Sequence, residues 1–403
     1  MNVLMVTSSY PKFPGDVTAP FIESIARGVA ARGHAVDVLL PHHPDLRRGQ
    51  DEPVRFLPYR YAPRDEWARW GYAQSLEADH RLRRGAFLLA PLVALALRRA
   101  LSQRLQDRRY DVVHVHWLVP NAVLVDDIAC AHGTALVVSL HGSDVFVAER
   151  LAPARWLARA ALRRAGAVTA CSADLHRRAL ALGAPGPRVH TVAYGVDVEE
   201  FAPRAPAPEV RRRLGVADDA FLVLALGRLV EKKGFATLVE AAARTGGVEV
   251  VIAGEGDLRG PLTEQARALH APVRLVGALD RATMAGALSE ADVVVVPSVV
   301  DRAGNVDGLP NALLEALASA RAVVASRVAG IPDVVTDDVN GLLVPERDAG
   351  ALAQSLRRLA REPETRERLG REARRQAVER LSWEAAARRF EECYVQAAAL
   401  DAR

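Results

Sequence analysis

From Asp292 to Ala325 the chain reads DVVVVPSVVDRAGNVDGLPNALLEALASARAVVA, and this stretch constrains the fold more than any other. Val293 to Val296 followed by Pro297 is a short all-apolar run closed by a breaker, the pattern of a strand buried on both faces. A polar, glycine-containing loop follows. From Leu309 the apolar residues fall at helical spacing, with Leu313, Leu314 and Leu317, and Ala322 to Ala325 opens another buried run. Strand, loop, helix and strand make a βαβ unit, in which ligands bind at the carboxyl end of the strand and the helix N-terminus offers free N–H groups to an anion. Two carboxylates fall there, Asp307 in the loop and Glu315 eight residues on; a solvated helix face is the plainer reading of Glu315 taken alone.

The same alternation recurs along the 403 residues, which predicts an α/β protein of about two domains with ample core. Cys130, Cys171 and Cys393 are too few and too far apart for a disulfide framework or a metal cluster, so a reducing compartment is expected. The opening MNVLMVTS runs directly into a strand without a leader pattern, and no apolar run approaches the roughly 20 residues that span a bilayer. The expectation is a soluble, cytoplasmic protein.

Charge is unevenly placed. Residues 1 to 200 carry 25 Lys+Arg against 20 Asp+Glu, a net of +5, while the remainder nets −1. The excess lies mostly between Arg47 and Arg109, where it reads as a solvated arginine-rich face or as a surface for an anionic membrane; no nucleic-acid partner is expected. Of the 53 basic residues only Lys12, Lys232 and Lys233 are lysine. In a chain that uses arginine almost everywhere, these positions point to a need for a compact ammonium, such as phosphate binding, and all three fall beside predicted strand-to-helix loops.

In chain order, Val3 to Val6 reads as a strand, followed by the loop SSYPKFPGDVTAP and a helix from about Phe21 to Ala31. Gly15 in that loop has no G-x-G-x-x-G around it, so it is either a ligand-approach glycine or a plain turn. Ala35 to Leu40 is the second strand, and residues 41 to 80 read as irregular. The stretch from Arg83 to Leu105 predicts a core helix, with an interfacial helix as the rarer reading. Strands are expected at Asp111 to Val115, Ala135 to Leu140, Ala167 to Cys171 and Val189 to Val192. His141-Gly142-Ser143-Asp144 follows the second of these and puts an imidazole at a strand end, where it is either functional or structural. No G-x-S-x-G nucleophile elbow occurs.

The Pro/Ala segment 202 to 209 reads as an interdomain linker, after which the alternation restarts. The strand Phe221 to Leu226 ends in GRLVEKKG, where Gly227 allows a tight turn and Arg228 and Lys233 bring two cations to a strand end, indicating a diphosphate-sized anion. Glu249 to Ala253 leads to Gly254-Glu255-Gly256-Asp257, Val273 to Val276 continues the sheet, and Asp280 suits an N-cap. Val323 to Ser326 and Gly341 to Val344 complete the strands. The last 55 residues are helical, ending in an amphipathic helix from Trp383 with Phe390 and Tyr394 on its apolar side.

The motifs GRLVEKKG, AGEGDL, DGLPNALLEALASARAVVAS and VAGIPDVV, in this order and spacing, resemble the retaining GT-B glycosyltransferases of family 4, and HGSD with YGVD resembles their N-terminal halves. The resemblance covers nearly the whole chain and is weakest between 41 and 110. It implies an α/β GT-B fold of two Rossmann-like, doubly wound domains facing across a cleft. The expected division is an acceptor domain over 1 to 201, a linker over 202 to 209, a nucleotide-sugar domain over 210 to 380, and a helix over 381 to 403 that crosses back to the first domain.

Carried over residue by residue, the resemblance makes Arg228 and Lys233 a diphosphate clamp and Glu315 the partner of the nucleoside ribose. Gly308, Leu309, Pro310 and Asn311 become backbone contacts to phosphate and sugar, with Gly15, Gly227 and Glu255 as further substrate contacts. His141 is expected near the transferred sugar. The family's first glutamate is Asp307 here, one methylene shorter, which puts a different donor hexose in view. The implied chemistry is front-face substitution with retention, in which the leaving diphosphate helps take the acceptor's proton and no protein nucleophile is needed. No D-x-D occurs, so no metal or other cofactor is expected. The expected partners are a nucleoside diphosphate sugar and a saccharide or lipid-linked acceptor, with the protein cytoplasmic or peripheral at an anionic membrane in surface polysaccharide assembly. A non-catalytic nucleotide-sugar-binding subunit, or a sugar-nucleotide epimerase of the same fold, is the alternative.

Overall fold

The computed structural model describes residues 1–16, 18–49, 51–68, 70–72, 76–77, 81–82, 84–205 and 207–401. The chain divides into two compact units, one made of Met1–Tyr194 with Trp383–Arg403, the other of Gly195–Ser382.

Among the described residues, nine strands belong to the first unit: β1 (Asn2–Val6), β2 (Ala35–Pro41), β3 (Val54–Tyr59), a short antiparallel pair β4 (Leu76–Glu77) and β5 (Arg81–Leu82), β6 (Val112–His116), β7 (Ala135–Leu140), β8 (Ala167–Ala170) and β9 (Val189–Thr191). All but β4 and β5 form one parallel sheet in the order β3-β2-β1-β6-β7-β8-β9. Successive side chains alternate faces, so Val3 and Met5 of β1 point to one side and Leu4 and Val6 to the other; all four are fully buried. A strand covered on both faces has to be apolar throughout, which is why these runs were legible in the sequence. The helix Pro20–Ala31 buries Ile22, Ile25, Ala26 and Val29 against one face, and the C-terminal helix Trp383–Asp401 adds Phe390, Cys393, Tyr394 and Ala397 to the same core. Arg32 and His34 tie that last helix down through Glu391, with His34 Nε2 2.9 Å from its carboxylate.

Two expectations in this unit need correction. Within the supposedly irregular stretch 41 to 80, Val54–Tyr59 is a strand paired in parallel with β2. It is an edge strand, where Pro58 is tolerated and Arg55 faces solvent, so it lacks the all-apolar signature of its neighbours. The helix Arg84–Asp107 runs on through Pro91 and is a core helix on one face only: Val93, Leu97 and Leu101 are buried, while Leu88, Leu92 and Leu95 are exposed.

The second unit carries β10 (Leu222–Leu226), β11 (Glu249–Ala253), β12 (Val273–Gly277), β13 (Val293–Val296), β14 (Ala322–Ser326) and β15 (Leu342–Val344), all parallel, in the order β12-β11-β10-β13-β14-β15. Its core joins Val223, Ala225, Val250, Ile252, Val293 and Val295 to Leu238, Val239 and Ala242 of the helix Phe235–Thr245 and to Leu352, Leu356 and Leu359 of the helix Ala349–Arg361. Asp280 caps its helix as expected, its Oδ1 accepting the Thr283 N–H at 2.8 Å. The expected linker does not run between the units: its described residues, 202–205 and 207–209, lie inside the second one, and from Pro208 they form the first turn of the helix Pro208–Leu214, a position that suits proline because the missing N–H would have no helical partner.

Both sheets wind outward in two directions from a switch point, between β1 and β6 in the first unit and between β10 and β13 in the second, so each has a crevice at the carboxyl ends of that pair. Among the described residues no helix is long and apolar enough to cross a membrane.

The C-terminal helix is held to the first unit by its buried aromatic residues. Tyr394 is fully buried, and its hydroxyl meets His114 Nδ1 at 2.8 Å. Tyr394→Ala is expected to cost about 3–5 kcal/mol, and Tyr394→Phe about 1–2 kcal/mol because His114 loses a buried partner. Urea unfolding followed by circular dichroism checks both values.

Candidate functional site

In the second unit the switch point brings together the loop after β10, residues 227 to 234, and the loop after β13, residues 297 to 310. Gly234 makes the join possible. Its φ is +66°, and a Cβ there would lie 1.8 Å from the carbonyl oxygen of Pro297, closer than any side chain permits. Val299 N–H in turn bonds the Lys232 carbonyl at 2.9 Å. The two loops therefore come into direct backbone contact, and the side chains they carry are brought into one place.

What meets there is a carboxylate between two ammonium groups. Asp307 Oδ1 lies 2.8 Å from Lys232 Nζ, and its Oδ2 lies 2.5 Å from Lys233 Nζ. Burial would raise the Asp307 pKa, but the ammonium groups of Lys233 and Lys232 outweigh it and hold the carboxyl well below the usual range. Because the folded pKa is depressed, this pairing stabilises the fold above the ordinary carboxylate pKa and is lost only in strong acid. Lys233 also lays its stem along Gly227, where an added Cβ would meet Cε at 3.2 Å and the φ of +147° disfavours any side chain. Arg228 is exposed on the same loop.

Glu315 stands one and a half turns into the short helix Asn311–Ala318, which starts after the buried Gly308, Leu309 and Pro310; the Gly308 carbonyl accepts the Gly330 N–H at 2.9 Å. Burial drives the Glu315 pKa up from 4.5 to about 7, with Arg281 and Lys233 opposing the rise and Glu200 reinforcing it. Glu200 is presented by a turn in which Asp197 Oδ1 accepts the N–H groups of Glu199 and Glu200, and it holds Arg281, whose Nε is 2.5 Å from Oε1. The YGVD motif thus sets the electrostatics around Glu315 through Asp197, a link with no signal in the sequence. Glu255 stands apart, exposed and 3.2 Å from Arg259.

The first unit places His141 at the end of β7, beside the switch point of its own sheet. Its Nδ1 is 2.6 Å from Tyr194 Oη, and its Nε2 is 3.2 Å from Nδ1 of His116, the last residue of β6. Asp144, fully inside, is the organiser: Oδ1 accepts the N–H groups of His141 and Gly142, and Oδ2 accepts that of Leu118 at 2.8 Å. Desolvation pushes the His141 pKa well below its ordinary value, and His116 adds to the effect. Phe21 stacks on Tyr194 at 4.9 Å and Trp117 lies 5.0 Å from His141. Gly15 sits in the exposed loop after β1 with φ +89° and nothing within reach of a Cβ. The residues expected at the site thus fall into two sets. Arg228, Lys233, Asp307 and Glu315 belong to the second unit with Gly227 and residues 308 to 311, while His141 and Gly15 belong to the first. Sequence reasoning marked Lys232 as suited to phosphate because it is one of three lysines, without naming it in the diphosphate clamp, and it passed over His116, Tyr194 and Asp144 as site residues.

A folded-state pKa raised above the unfolded one means that Glu315 favours the fold most below about pH 4.5 and loses that contribution as pH rises through about 7. Glu315→Gln, which cannot ionise, is expected to stabilise the ligand-free protein at pH 8 by on the order of 2 kcal/mol and to change little at pH 5. Denaturant midpoints at the two pH values check this.

A family model described as "Glycosyl transferases group 1" matches residues 207–376, and one described as "Glycosyl transferase 4-like domain" matches residues 18–195. The chain is 33% identical over 187 residues to the amylovoran biosynthesis glycosyltransferase AmsK of Erwinia amylovora, an alignment spanning 45% of this chain and 44% of that protein. It is 28% identical over 430 residues to the glycogen synthase of Mycobacterium tuberculosis, spanning 98% of this chain and 95% of that one. The crystal structure of Anabaena Alr3699/HepE in complex with UDP superposes with a TM-score of 0.75 at 19% identity, over 97% of this chain and 99% of that one. Two consecutive family models, full-length fold similarity and two parallel sheets with alternating helices lead to one assignment: the chain belongs to the group 1 glycosyltransferases and has the GT-B fold.

Proposed function

We propose that this enzyme moves a hexose-type sugar from a nucleoside diphosphate sugar to an acceptor hydroxyl with retention of configuration, in the assembly of a surface polysaccharide or glycolipid. The observation that carries the reading is the pairing of Lys232 and Lys233 across Asp307 at the switch point of the second unit, on the loop that also carries the exposed Arg228, which makes a seat for a diphosphate. HepE is described in complex with UDP and with UDP-glucose, and AmsK is named for amylovoran biosynthesis, which favours a nucleotide-sugar donor and a polysaccharide product.

In this reading Lys233 and Arg228 clamp the diphosphate, Glu315 takes the ribose hydroxyls, and the backbone of Gly308 to Asn311 borders phosphate and sugar. Gly15, Gly227 and Glu255 are further substrate contacts, and His141 lies near the transferred sugar. Asp307 meets Lys232 and Lys233 instead of an open space, so its part is to hold the ammonium pair in place until phosphate oxygens share it. Transition-state charge accumulates on the departing diphosphate. Preorganised cations stabilise it without solvent reorganisation, and the diphosphate itself receives the acceptor's proton. The cations stand in for a metal, so turnover is expected to survive chelation by EDTA.

The donor site is tested by thermal shift with UDP, GDP, ADP and dTDP and their sugar conjugates. Ligand at about 100 times its dissociation constant stabilises by roughly 2.7 kcal/mol, and Lys233→Ala is expected to abolish the rise. Donor turnover with and without acceptor, at added EDTA, then separates a transferase from a binding subunit. A folded protein that responds to none of the nucleotides would remove the proposal.

An acceptor carried on a membrane lipid fits the outer face of the first unit. Leu88 is 81% exposed and Trp156 72% exposed on helices of an arginine-rich region, an arrangement suited to the surface of an anionic bilayer. Sedimentation with vesicles containing phosphatidylserine at low salt is expected to carry the protein down, and Leu88→Ser with Trp156→Ser to leave most of it in solution.

A further inference from the structure

We propose that His116 is a positioning residue for His141, setting both the orientation of the imidazole and the nitrogen that carries its proton; the inference rests on the reading that His141 faces the transferred sugar. His116 is fully buried at the end of β6, where its backbone carbonyl accepts the Asn121 side-chain N–H at 2.9 Å and close packing surrounds its ring. The two imidazoles lie nearly parallel, 21° apart, with His116 Nδ1 and His141 Nε2 separated by 3.2 Å.

Two facing ring nitrogens at that distance share one proton. If it sat on His141 Nε2, neutral His116 would carry its own proton on Nε2. That atom is buried and has no hydrogen-bond partner among the described residues, so an N–H would be orphaned there. A bare ring nitrogen in the same place costs less than an orphaned donor. His116 therefore keeps its proton on Nδ1 and donates it to His141 Nε2. His141 must then carry its proton on Nδ1, where Tyr194 Oη accepts it at 2.6 Å.

The surroundings sustain this state. On β6, the His114 ring lies against that of His116, centroids 4.2 Å apart and tilted by 42°, and its own nitrogens are taken by Tyr394 Oη and Ser139 Oγ. From the loop after β7, the Asp144 carboxylate is occupied by backbone N–H groups, and Phe21 and Trp117 close the remaining sides with apolar rings. Burial lowers the pKa of His114 and His141 and brings that of His116 to about 3, so none of the three adopts a charge near neutrality. With both ring nitrogens engaged inside the first unit, His141 meets substrate as a neutral, fixed ring and not as a proton shuttle. The acceptor's proton leaves with the diphosphate.

The test combines kinetics with nitrogen NMR of the full-length enzyme labelled with ¹⁵N-histidine, using His141→Gln to assign the signal. Wild type is expected to show His141 neutral, protonated on Nδ1, and untitrated between about pH 5.5 and 8. His116→Leu is expected to change that tautomer and to lower kcat roughly 10- to 100-fold with donor KM altered less than about threefold. His116→Asn places an amide N–H where Nδ1–H stood, and is expected to restore the tautomer and kcat to within about threefold of wild type. A wild-type His141 protonated on Nε2 would overturn the proposal, as would a His116→Asn enzyme no better than His116→Leu. Should His116→Leu not fold, the wild-type and His116→Asn spectra decide. A wild-type enzyme with no turnover would strike at the function proposed above, while the tautomer is read without turnover.

Discussion

A parallel sheet covered on both faces leaves polar chemistry one main outlet, the ends of its strands, and both units of this protein follow that constraint, the first sheet holding His114, Ser139 and Thr169 inside only by hydrogen-bonding them to one another and to Tyr394. Their strands are apolar because each side chain must be buried whichever way it points. Charged and hydrogen-bonding groups are displaced into the loops at the carboxyl ends, and the switch point of each sheet separates two such loops enough to form a crevice. The position of the site follows from burial before any catalytic residue is considered.

The second unit uses that position to concentrate charge that would be costly elsewhere. Lys232 is buried, and Asp307 gives it a counter-charge by sharing one carboxylate between Lys232 and Lys233. Glu315 is left with its charge poorly compensated, since Arg281 is already engaged by Glu200. One carboxyl is held firmly ionised and the other is poised near neutrality, a few residues apart along the same βαβ unit. The difference comes from partners, not from residue type.

In the first unit the comparable device is a hydrogen-bonded chain of aromatic groups. Tyr194, His141 and His116 connect in sequence, with His114 and Tyr394 beneath them, and Asp144 fixes the loop that carries His141 by taking three backbone N–H groups. A core otherwise made of valine, leucine and alanine specifies little about orientation, whereas directional bonds among buried polar groups define a single arrangement.

By itself the sequence determined the α/β class, most of the strands and the charged loops at their carboxyl ends, because short apolar runs closed by glycine, proline or charge are dictated by burial that neighbouring residues share. It also singled out Lys233, Glu315, Asp307 and His141 by their place at strand ends. It could not show β3, whose Arg55 and Pro58 suit an edge strand and break the apolar pattern, nor that 202 to 209 lies within a unit. Only the tertiary structure decided that Asp307 would sit between two lysines, that Asp197 would present Glu200 to Arg281, and that His116 and Tyr194 would each take one nitrogen of His141. The partners in those contacts come from different loops, and their meeting depends on strand order and backbone approach, as where Gly234 passes against Pro297. Periodicity reports which face of an element is buried; it carries no information about which residue arrives from another element to meet it.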